Sequence, residues 1–246
     1  GPDTTIIDLD GNDFIDIING ENNSRIEGLT ISNSNTGAVY VWNLGNGASS
    51  IEIDNCIFLN NSNGSFSPGG AIDLNSNSNN PIIVTNTIFQ GNYAGDRGGA
   101  VNINSDGCEA YFGNCIFYNN SCGDNGGAIN QDSNTNLVIV NSLFIDNYST
   151  NWGVGGINSY AGMYGGNTTI INSIFSGNTD TGLSESDVST AFYPMDIDHC
   201  ILQSTNSQAF NYGENYAFDP LINDAVNGDF SLNEFSDAIG LGTDEY

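Results

Sequence analysis

Short apolar or alternating runs recur along the whole chain, and Gly, Asn or Ser bounds each of them. In one stretch they read AVNIN at 100–104, AYFGN at 110–114 and CIFYNN at 115–120. Runs of this length, with period-two alternation and turn residues at both ends, are typical of β-strands. Long windows with apolar residues at helical spacing are missing. The pattern therefore predicts an all-β chain built from many short strands.

Two phrases repeat along the chain in one rhythm. The first is N-x-x-F-x-x-N, and its centre recurs at steps of 27, 31, 28, 27, 31 and 27 residues. These centres are Ile31, Phe58, Phe89, Phe117, Phe144, Phe175 and Leu202. The second phrase, GGAI, begins at Gly69, Gly98 and Gly126 and returns contracted at Gly155. Two unrelated phrases that keep one period indicate stacked units, and three short strands per unit predict a parallel β-helix of about seven coils.

Each position of the N-x-x-F-x-x-N phrase has its own predicted role. The first Asn lies between two strands, where a sharp corner favours the left-handed backbone angles that Asn tolerates. The Phe side chains should stack in the core, and the second Asn should turn inward and hydrogen-bond the coils above and below. In the five full repeats the first Asn is at positions 55, 86, 114, 141 and 172, and the second Asn is at positions 61, 92, 120, 147 and 178. We interpret both sets as scaffolding.

The repeat decays at both ends of the chain. We expect one domain over residues 1–246, with an N-terminal capping coil at 1–27, repeat coils at 28–208 and a C-terminal cap at 209–246. The five cysteines show no zinc-binding spacing. Cys56, Cys115 and Cys200 share one repeat position and should be small core residues. Cys108 and Cys122 fall in loop-like stretches, and whether they pair stays open.

These phrases resemble the repeats of extracellular right-handed β-helix proteins, including the bacterial polymorphic outer-membrane adhesins with their GGAI and FxxN motifs. The segment FDPLINDAVNGDFSLNEFSDAIGLG, which begins at Phe218, is similar to the closing segment of large secreted bacterial β-helix proteins of the choice-of-anchor type. TTIIDLDGNDFIDII, followed by IEGLTISNS, is similar to their opening coil. The resemblance implies a right-handed helix and secretion or display on a bacterial surface. It implies no single function, because this fold hosts lyases, hydrolases, epimerases and adhesins.

Charge excludes several classes of partner. The chain carries 29 acidic residues against two basic ones, Arg25 and Arg97, for a formal net charge of −27. Proteins that bind nucleic acid neutralise phosphates with clusters of Lys and Arg, so nucleic acid is not expected as a partner. Anionic membrane surfaces and acidic polysaccharides are disfavoured for the same reason. No apolar run reaches transmembrane length, so we expect no insertion into a membrane. The oligomeric state stays open.

The GGAI strands are the predicted binding face. If their apolar residues point inward, alternation sends the neighbouring side chains outward in two columns. The first column is Tyr40, Asp73, Asn102, Asn130 and Asn158, and the second is Trp42, Asn75, Asn104, Asp132 and Tyr160. Aromatic faces flanked by amides and carboxylates suit neutral sugars. The alternative is an ordinary solvated face of a secreted solenoid.

A second outward column should be apolar. Its members are Ile57, Ile88, Ile116, Leu143, Ile174 and Ile201. Three interpretations stay open for this stripe: a neighbouring domain or protomer docks on it, a loop covers it, or the facing is shifted by one residue.

Catalytic candidates are few. The lyases of this fold need a basic side chain, and only Arg25, Arg97 and His199 are available. Local ion pairing is expected for both arginines, and His199 takes a corner-Asn position. The polygalacturonase pattern of paired aspartates with His-Gly and Arg-x-Lys is absent. Asp73 and Asp132 are the remaining acid pair, and strand geometry places them roughly 11–12 Å apart, too far for a two-carboxylate glycosidase.

The only candidate metal site is weakly marked. Asp8, Asp10, Asn12 and Asp13 surround Gly11, and oxygen ligands about a Gly turn suit Ca²⁺. The twelve-residue loop with its terminal Glu is absent, so an ordinary turn is the alternative. We expect no cofactor, with Ca²⁺ at these four residues as the one exception to be tested.

Three functions stay open from the sequence. The preferred one is a secreted or surface-displayed binding module without catalytic activity, adhesin-like, which presents the GGAI face to a glycan or a surface protein. The second is a polysaccharide-active lyase or glycoside hydrolase of the pectate-lyase-like class. The third is a structural spacer within a larger surface protein.

Overall fold

A computed structural model of the protein describes residues 2, 5–18, 23–42, 50–75, 81–104, 106–107, 109–132, 134–151, 153–161, 165–182, 186–190, 195–203 and 210–243, with backbone alone at 210–212. Over these residues the chain is a parallel β-solenoid of about six turns, built almost entirely from strands and turns. The predicted all-β parallel helix is confirmed, at about six turns against about seven. Its right-handed sense and its capping stay predictions. None of the described helical segments is long and apolar enough to cross a membrane.

Strands are numbered β1 to β28 in chain order. The first sheet, which carries the N-x-x-F-x-x-N phrases, stacks β1 (Ile6–Gly11), β4 (Thr30–Ser34), β7 (Ile57–Leu59), β11 (Ile88–Gln90), β15 (Ile116–Tyr118), β19 (Leu143–Ile145) and β23 (Ile174–Ser176). The second sheet, which follows the GGAI phrases, stacks β2 (Ile15–Ile18), β5 (Val39–Trp42), β9 (Ile72–Asn75), β13 (Val101–Asn104), β17 (Ile129–Asp132), β21 (Ile157–Ser159) and β24 (Val188–Thr190).

The third sheet stacks β3 (Ser24–Glu27), β6 (Ile51–Asp54), β10 (Ile82–Thr85), β14 (Glu109–Gly113), β18 (Asn136–Val140), β22 (Asn167–Ile171), β25 (Met195–Asp198) and β26 (Phe210–Tyr212). A fourth sheet, which the sequence pattern did not predict, stacks β8 (Ser62–Asn63), β12 (Tyr93–Ala94), β16 (Ser121–Cys122) and β20 (Tyr148–Ser149). Outside the solenoid, β27 (Ile222–Asp224) and β28 (Asp229–Leu232) form an antiparallel hairpin around the 3₁₀ helix Ala225–Asn227.

The core is a stack of aligned phenylalanine rings. Phe58, Phe89, Phe117, Phe144 and Phe175 are fully buried. Their ring centroids are 5.1, 4.8, 4.6 and 4.6 Å apart, and their planes differ by 5–6°. Each ring contributes about 1.5–3 kcal/mol of burial, and stacking adds about 0.5–1.5 kcal/mol. Cys56, Cys115 and Cys200 are buried beside this stack, as predicted.

The two Asn positions behave as predicted. The corner residues Asn55, Asn86, Asn114, Asn141 and Asn172 have φ between 50° and 54°. His199, at the equivalent corner, has φ 52°, so it is a turn residue. The inner asparagines form a continuous ladder: the side-chain oxygen of Asn120 accepts the backbone N–H of Asn92, and its Nδ2 donates to the carbonyl of Phe89. The ladder is therefore scaffold.

The C-terminal segment returns along the outside of the first sheet. Phe230 of the hairpin meets Tyr118 of β15 edge-to-face, with centroids 5.5 Å apart. The Asn172 side chain exchanges two hydrogen bonds with the backbone of Thr243, at 2.7 and 2.9 Å. In the predicted apolar stripe, residues 57, 88, 116, 143 and 174 are half-buried, whereas its last member, Ile201, is buried at 3% exposure.

Candidate functional site

Strand register sets the ten candidate side chains of the second sheet in two adjoining columns. Along the first column, Tyr40, Asp73, Asn102, Asn130 and Asn158 are successive partners. In the second column Trp42 is paired with Asn75 and Asn104 with Asp132, while Tyr160 follows β21 directly. Register alone therefore brings residues from five coils onto one face.

Burial separates the two columns. From coil to coil, Asp73, Asn102, Asn130 and Asn158 of the first column are 7%, 3%, 0% and 2% exposed. Their side chains bond head to tail at 2.8–3.0 Å, each amide nitrogen donating to the oxygen of the coil before. These four residues therefore form a second ladder on the outer side of the sheet, mostly closed to a ligand.

The glycine phrase explains how an outward column becomes buried. Gly98 has φ +65°, and a Cβ at that position would lie 2.8 Å from the backbone nitrogen of Asn102. The chain before β13 therefore folds back against the outer side of the strand. Only glycine allows that approach together with that backbone angle. The cover reduces the accessible part of the predicted face.

The remaining candidates form an accessible strip. We define it as Tyr40, Trp42, Asn75, Asn104, Asp132 and Tyr160. Trp42 is 36% exposed and Asn104 is exposed, while the others are half-buried. Tyr40 and Trp42 meet edge-to-face with centroids 5.8 Å apart. The strip runs along the solenoid axis and has its aromatic pair at the N-terminal end.

Arg97 neutralises the other end of the strip. Its Nη1 lies 3.0 Å from Asp132 Oδ2, and its Nε lies 3.3 Å from Asp124 Oδ2 and 3.8 Å from Asp96 Oδ1. The amide of Asn130 donates to the same oxygen of Asp132 at 3.1 Å. The expected pairing with Asp96 is therefore only one part of a cluster that spans several coils. Asp132 is tied to a cation and to an amide.

Asp73 is the titratable group that its surroundings perturb most on this face. Burial raises the pKa of Asp73 to about 6, against a smaller opposing effect of the hydrogen bond from Asn102. Burial also raises the pKa of Tyr40, and the charges of Asp73 and Asp16 add to that rise. Asp16 is paired with Tyr40 in the register, and burial followed by the charge of Asp13 raises its pKa. Asp16 was not among the candidates predicted from the sequence, although its place before Ile17 in the alternation signals an outward side chain.

Carboxyl spacing limits the chemistry. Asp73 and Asp132 lie two coils and two residues apart in the register, which corresponds to roughly 11–12 Å. Asp16 and Asp73 lie in one column two coils apart, which corresponds to roughly 9.6 Å. That spacing is close to the upper limit of about 9.5 Å for inverting glycosidases.

His199 is not part of this face. It lies at the corner that follows β25 of the third sheet. Its Nδ1 is 3.1 Å from Asp198 Oδ1 without hydrogen-bond geometry, and its Nε2 is 3.8 Å from Glu214 Oε2. The structure therefore does not bring His199 together with Asp73 and Asp132.

The candidate calcium ligands make local turn contacts. Asp8 Oδ1 accepts hydrogen bonds from the backbone of Asp10 and from Asn33 Nδ2, at 3.2 and 3.1 Å. Asn12 donates to the carbonyl of Leu9 at 3.0 Å. Across the described ranges, no three His, Cys, Asp or Glu side chains come together as a group that could hold a metal ion. Calcium binding at residues 8, 10, 12 and 13 stays a prediction.

Cys122 is a free, fully buried thiol in β16. Cys108, which the sequence left open as its partner, lies outside the described residues.

Comparisons of the chain with protein-family models, with characterised proteins and with solved structures find no match.

Proposed function

We propose that the protein is a secreted or surface-displayed binding module, adhesin-like, which holds a glycan along the accessible strip. The observation that carries the proposal is the strip itself: aromatic, amide and carboxylate side chains follow one another on five successive coils. Secretion and surface display rest on the resemblance of the repeats and of the segment after Phe218 to extracellular bacterial β-helix proteins.

The dimensions of the strip suit an extended sugar chain. Coils stack about 4.8 Å apart, so residues 42 to 160 span roughly 19 Å over four steps. The coil spacing is comparable with the length of one pyranose unit in an extended chain. An aromatic ring at each end offers a stacking surface for C–H faces, and the amides between them offer donors and acceptors for hydroxyl groups.

A second candidate function rests on one observation. Asp73 has a pKa of about 6, and Asp16 lies roughly 9.6 Å away with Tyr40 between them. A carboxyl group whose pKa is raised toward neutrality suits a general acid, and a second carboxylate near the upper limit of spacing fits an inverting hydrolase. A structural spacer is the third reading, and it requires no ligand.

A binding and product screen separates these functions. We expect at least one neutral or amino-bearing oligosaccharide to bind in titration calorimetry, and Trp42→Ala and Tyr160→Ala to weaken that binding. Tyr111→Ala is the matched control, because Tyr111 is a similarly exposed aromatic residue (37%) on the third sheet. Shortened products detected by mass spectrometry would replace the binding proposal with the hydrolase. The absence of binding to every glycan would leave the spacer.

A further inference from the structure

The N-terminal end of the strip carries negative charge that no cation balances. Asp16 and Asp73 flank Tyr40 in one column. Neither carboxylate has an ion pair with a cation among the described residues. Arg25 lies on the third sheet and is paired with Glu27, Glu52 and Asp54. Arg97 is held by the cluster at the other end of the strip. The chain has no other Lys or Arg.

Asp73 keeps one oxygen available despite its burial. Oδ1 accepts the Asn102 amide at 2.9 Å. No donor among the described residues hydrogen-bonds Oδ2. This oxygen is not completely enclosed by the protein. Asp73 is 7% exposed, so the side chain is largely buried and its second oxygen is an unpaired acceptor at the edge of the buried ladder. A ligand group that donates to this oxygen therefore adds a hydrogen bond that the protein itself does not supply.

The aromatic pair beside these carboxylates favours a cation as well. Tyr40 and Trp42 meet edge-to-face, and Trp42 is partly exposed. An indole or phenol face attracts a cation within about 6 Å of its centroid. The Asn75 side chain lies beside the Tyr40 hydroxyl and lowers its pKa slightly, against the larger rise caused by burial and by the charges of Asp73 and Asp16. Carboxylates and aromatic faces therefore select the same kind of group.

A ligand that is a sugar and a cation satisfies both sets of observations. We propose that Asp16, Tyr40, Trp42 and Asp73 form a subsite for the protonated amino group of an amino sugar, so that the strip prefers glycans with free amino groups over acetylated or neutral ones. This inference rests on the proposed function. Acidic glycans are disfavoured at this end, because both flanking residues carry like charge.

A metal ion is the competing occupant, and the geometry argues against it. A calcium ion takes six to eight oxygen ligands at about 2.3–2.6 Å. Asp16 and Asp73 lie roughly 9.6 Å apart along the column, and within the described part of the chain no group of three potential ligands converges. An ammonium group needs only one carboxylate and one aromatic face, which Asp73 and its register partner Tyr40 supply.

The test compares three tetrasaccharides of similar length: a glucosamine oligomer, its fully N-acetylated form and a glucose oligomer with the same linkage. We expect the glucosamine oligomer to bind about tenfold more tightly at pH 6.5 and low salt, because charge-assisted hydrogen bonds are about twice as strong as neutral ones. Raising NaCl should reduce this preference. Asp73→Asn and Asp16→Asn should remove the preference without abolishing binding of the glucose oligomer.

The control variant is Asp237→Asn, the same chemical change at an exposed acid of the C-terminal segment. It should keep the full preference. Asp73→Asn should fold, because Asn is isosteric and its oxygen still accepts the Asn102 amide. Tyr40 and Asn102 face Asp73 directly, with Asp16 one coil further. The preference should also fall at pH 5, where Asp73 is protonated.

The outcomes separate the two proposals. If all three oligomers bind equally and Trp42→Ala weakens each of them, the amino-group subsite is refuted and the glycan-binding function stands. If none of them binds, both proposals fail for these glycans. If CaCl₂ alone binds to the protein and Asp73→Asn abolishes that binding, the site is a metal site and the inference is overturned.

Discussion

The inner asparagine ladder allows a prediction with a worked magnitude. Replacing Asn120 with Ala removes four side-chain hydrogen bonds, to the backbone and side chain of Asn92, to the carbonyl of Phe89 and to Asn147. Asn120, which takes part in all four bonds, is fully buried. At about 1 kcal/mol net for each bond, Asn120→Ala should lower the free energy of unfolding by about 4 kcal/mol.

Asn114→Ala is the matched control in the same coil. Asn114 has φ +54°, and its exposed amide makes one long contact of 3.3 Å with Asn86. Alanine at a left-handed position costs about 1–2 kcal/mol. The two variants change the same residue type, six positions apart, so the excess of about 2–3 kcal/mol measures the ladder.

Two assays check this prediction. Urea unfolding followed by far-UV circular dichroism gives the difference in global stability between the variants. Hydrogen exchange with mass spectrometry, on a peptide that contains Asn92, reports the backbone N–H whose acceptor is Asn120 Oδ1. That N–H should exchange faster in Asn120→Ala and stay protected in Asn114→Ala. If Asn120→Ala costs no more than Asn114→Ala and Asn92 stays protected, the ladder contributes no net stability.

Two further predictions follow from burial. The pKa of Asp73 rises from 3.8 to about 6 on folding, so the folded carboxyl keeps a proton that the unfolded chain releases, and stability should fall by about 3 kcal/mol as pH rises from about 4 to 6. Urea midpoints of the wild type and Asp73→Asn, measured at pH 4 and pH 8, test this prediction. If the midpoint changes equally with pH in both proteins, the prediction is contradicted. Burial raises the pKa of Cys115, Cys122 and Cys200 to about 12 and also raises that of Cys56. In Cys108→Ser, these four thiols should therefore react with a thiol reagent only after unfolding, and fast reaction of the native protein would refute their burial.

The coil architecture could be predicted from the sequence because the repeat carries it redundantly. The corner Asn, the stacked Phe and the inner Asn each recur at one period, and each role follows from the residue type. The fourth sheet was missed because its strands are only two residues long. The strand Tyr93–Ala94, for example, is too short to show alternation, and it pairs with the two-residue strands of the coils before and after it.

The candidate site was less predictable because burial and charge pairing act between coils. Alternation places Asn102 and Asn130 outward, but it does not show that the chain at Gly98 folds over them. Local sequence pairs Arg97 with Asp96, whereas the guanidinium reaches Asp132, 35 residues further along. Such contacts depend on coil length and on loop direction, and neither leaves a pattern in the alternation of residues.

One residue type therefore has three roles in this chain, and the backbone decides among them. At the corners Asn114 tolerates φ +54°. In the core Asn120 satisfies the backbone of the next coil. On the outer side of the second sheet Asn102 donates to Asp73, the residue that ends that ladder with a carboxylate. An amide at position 73 would continue the outer ladder without the desolvation cost of a charge. Because burial raises the pKa of the Asp73 carboxyl, the acid destabilises the fold above pH 6, and its presence favours a ligand-binding role over a scaffolding one.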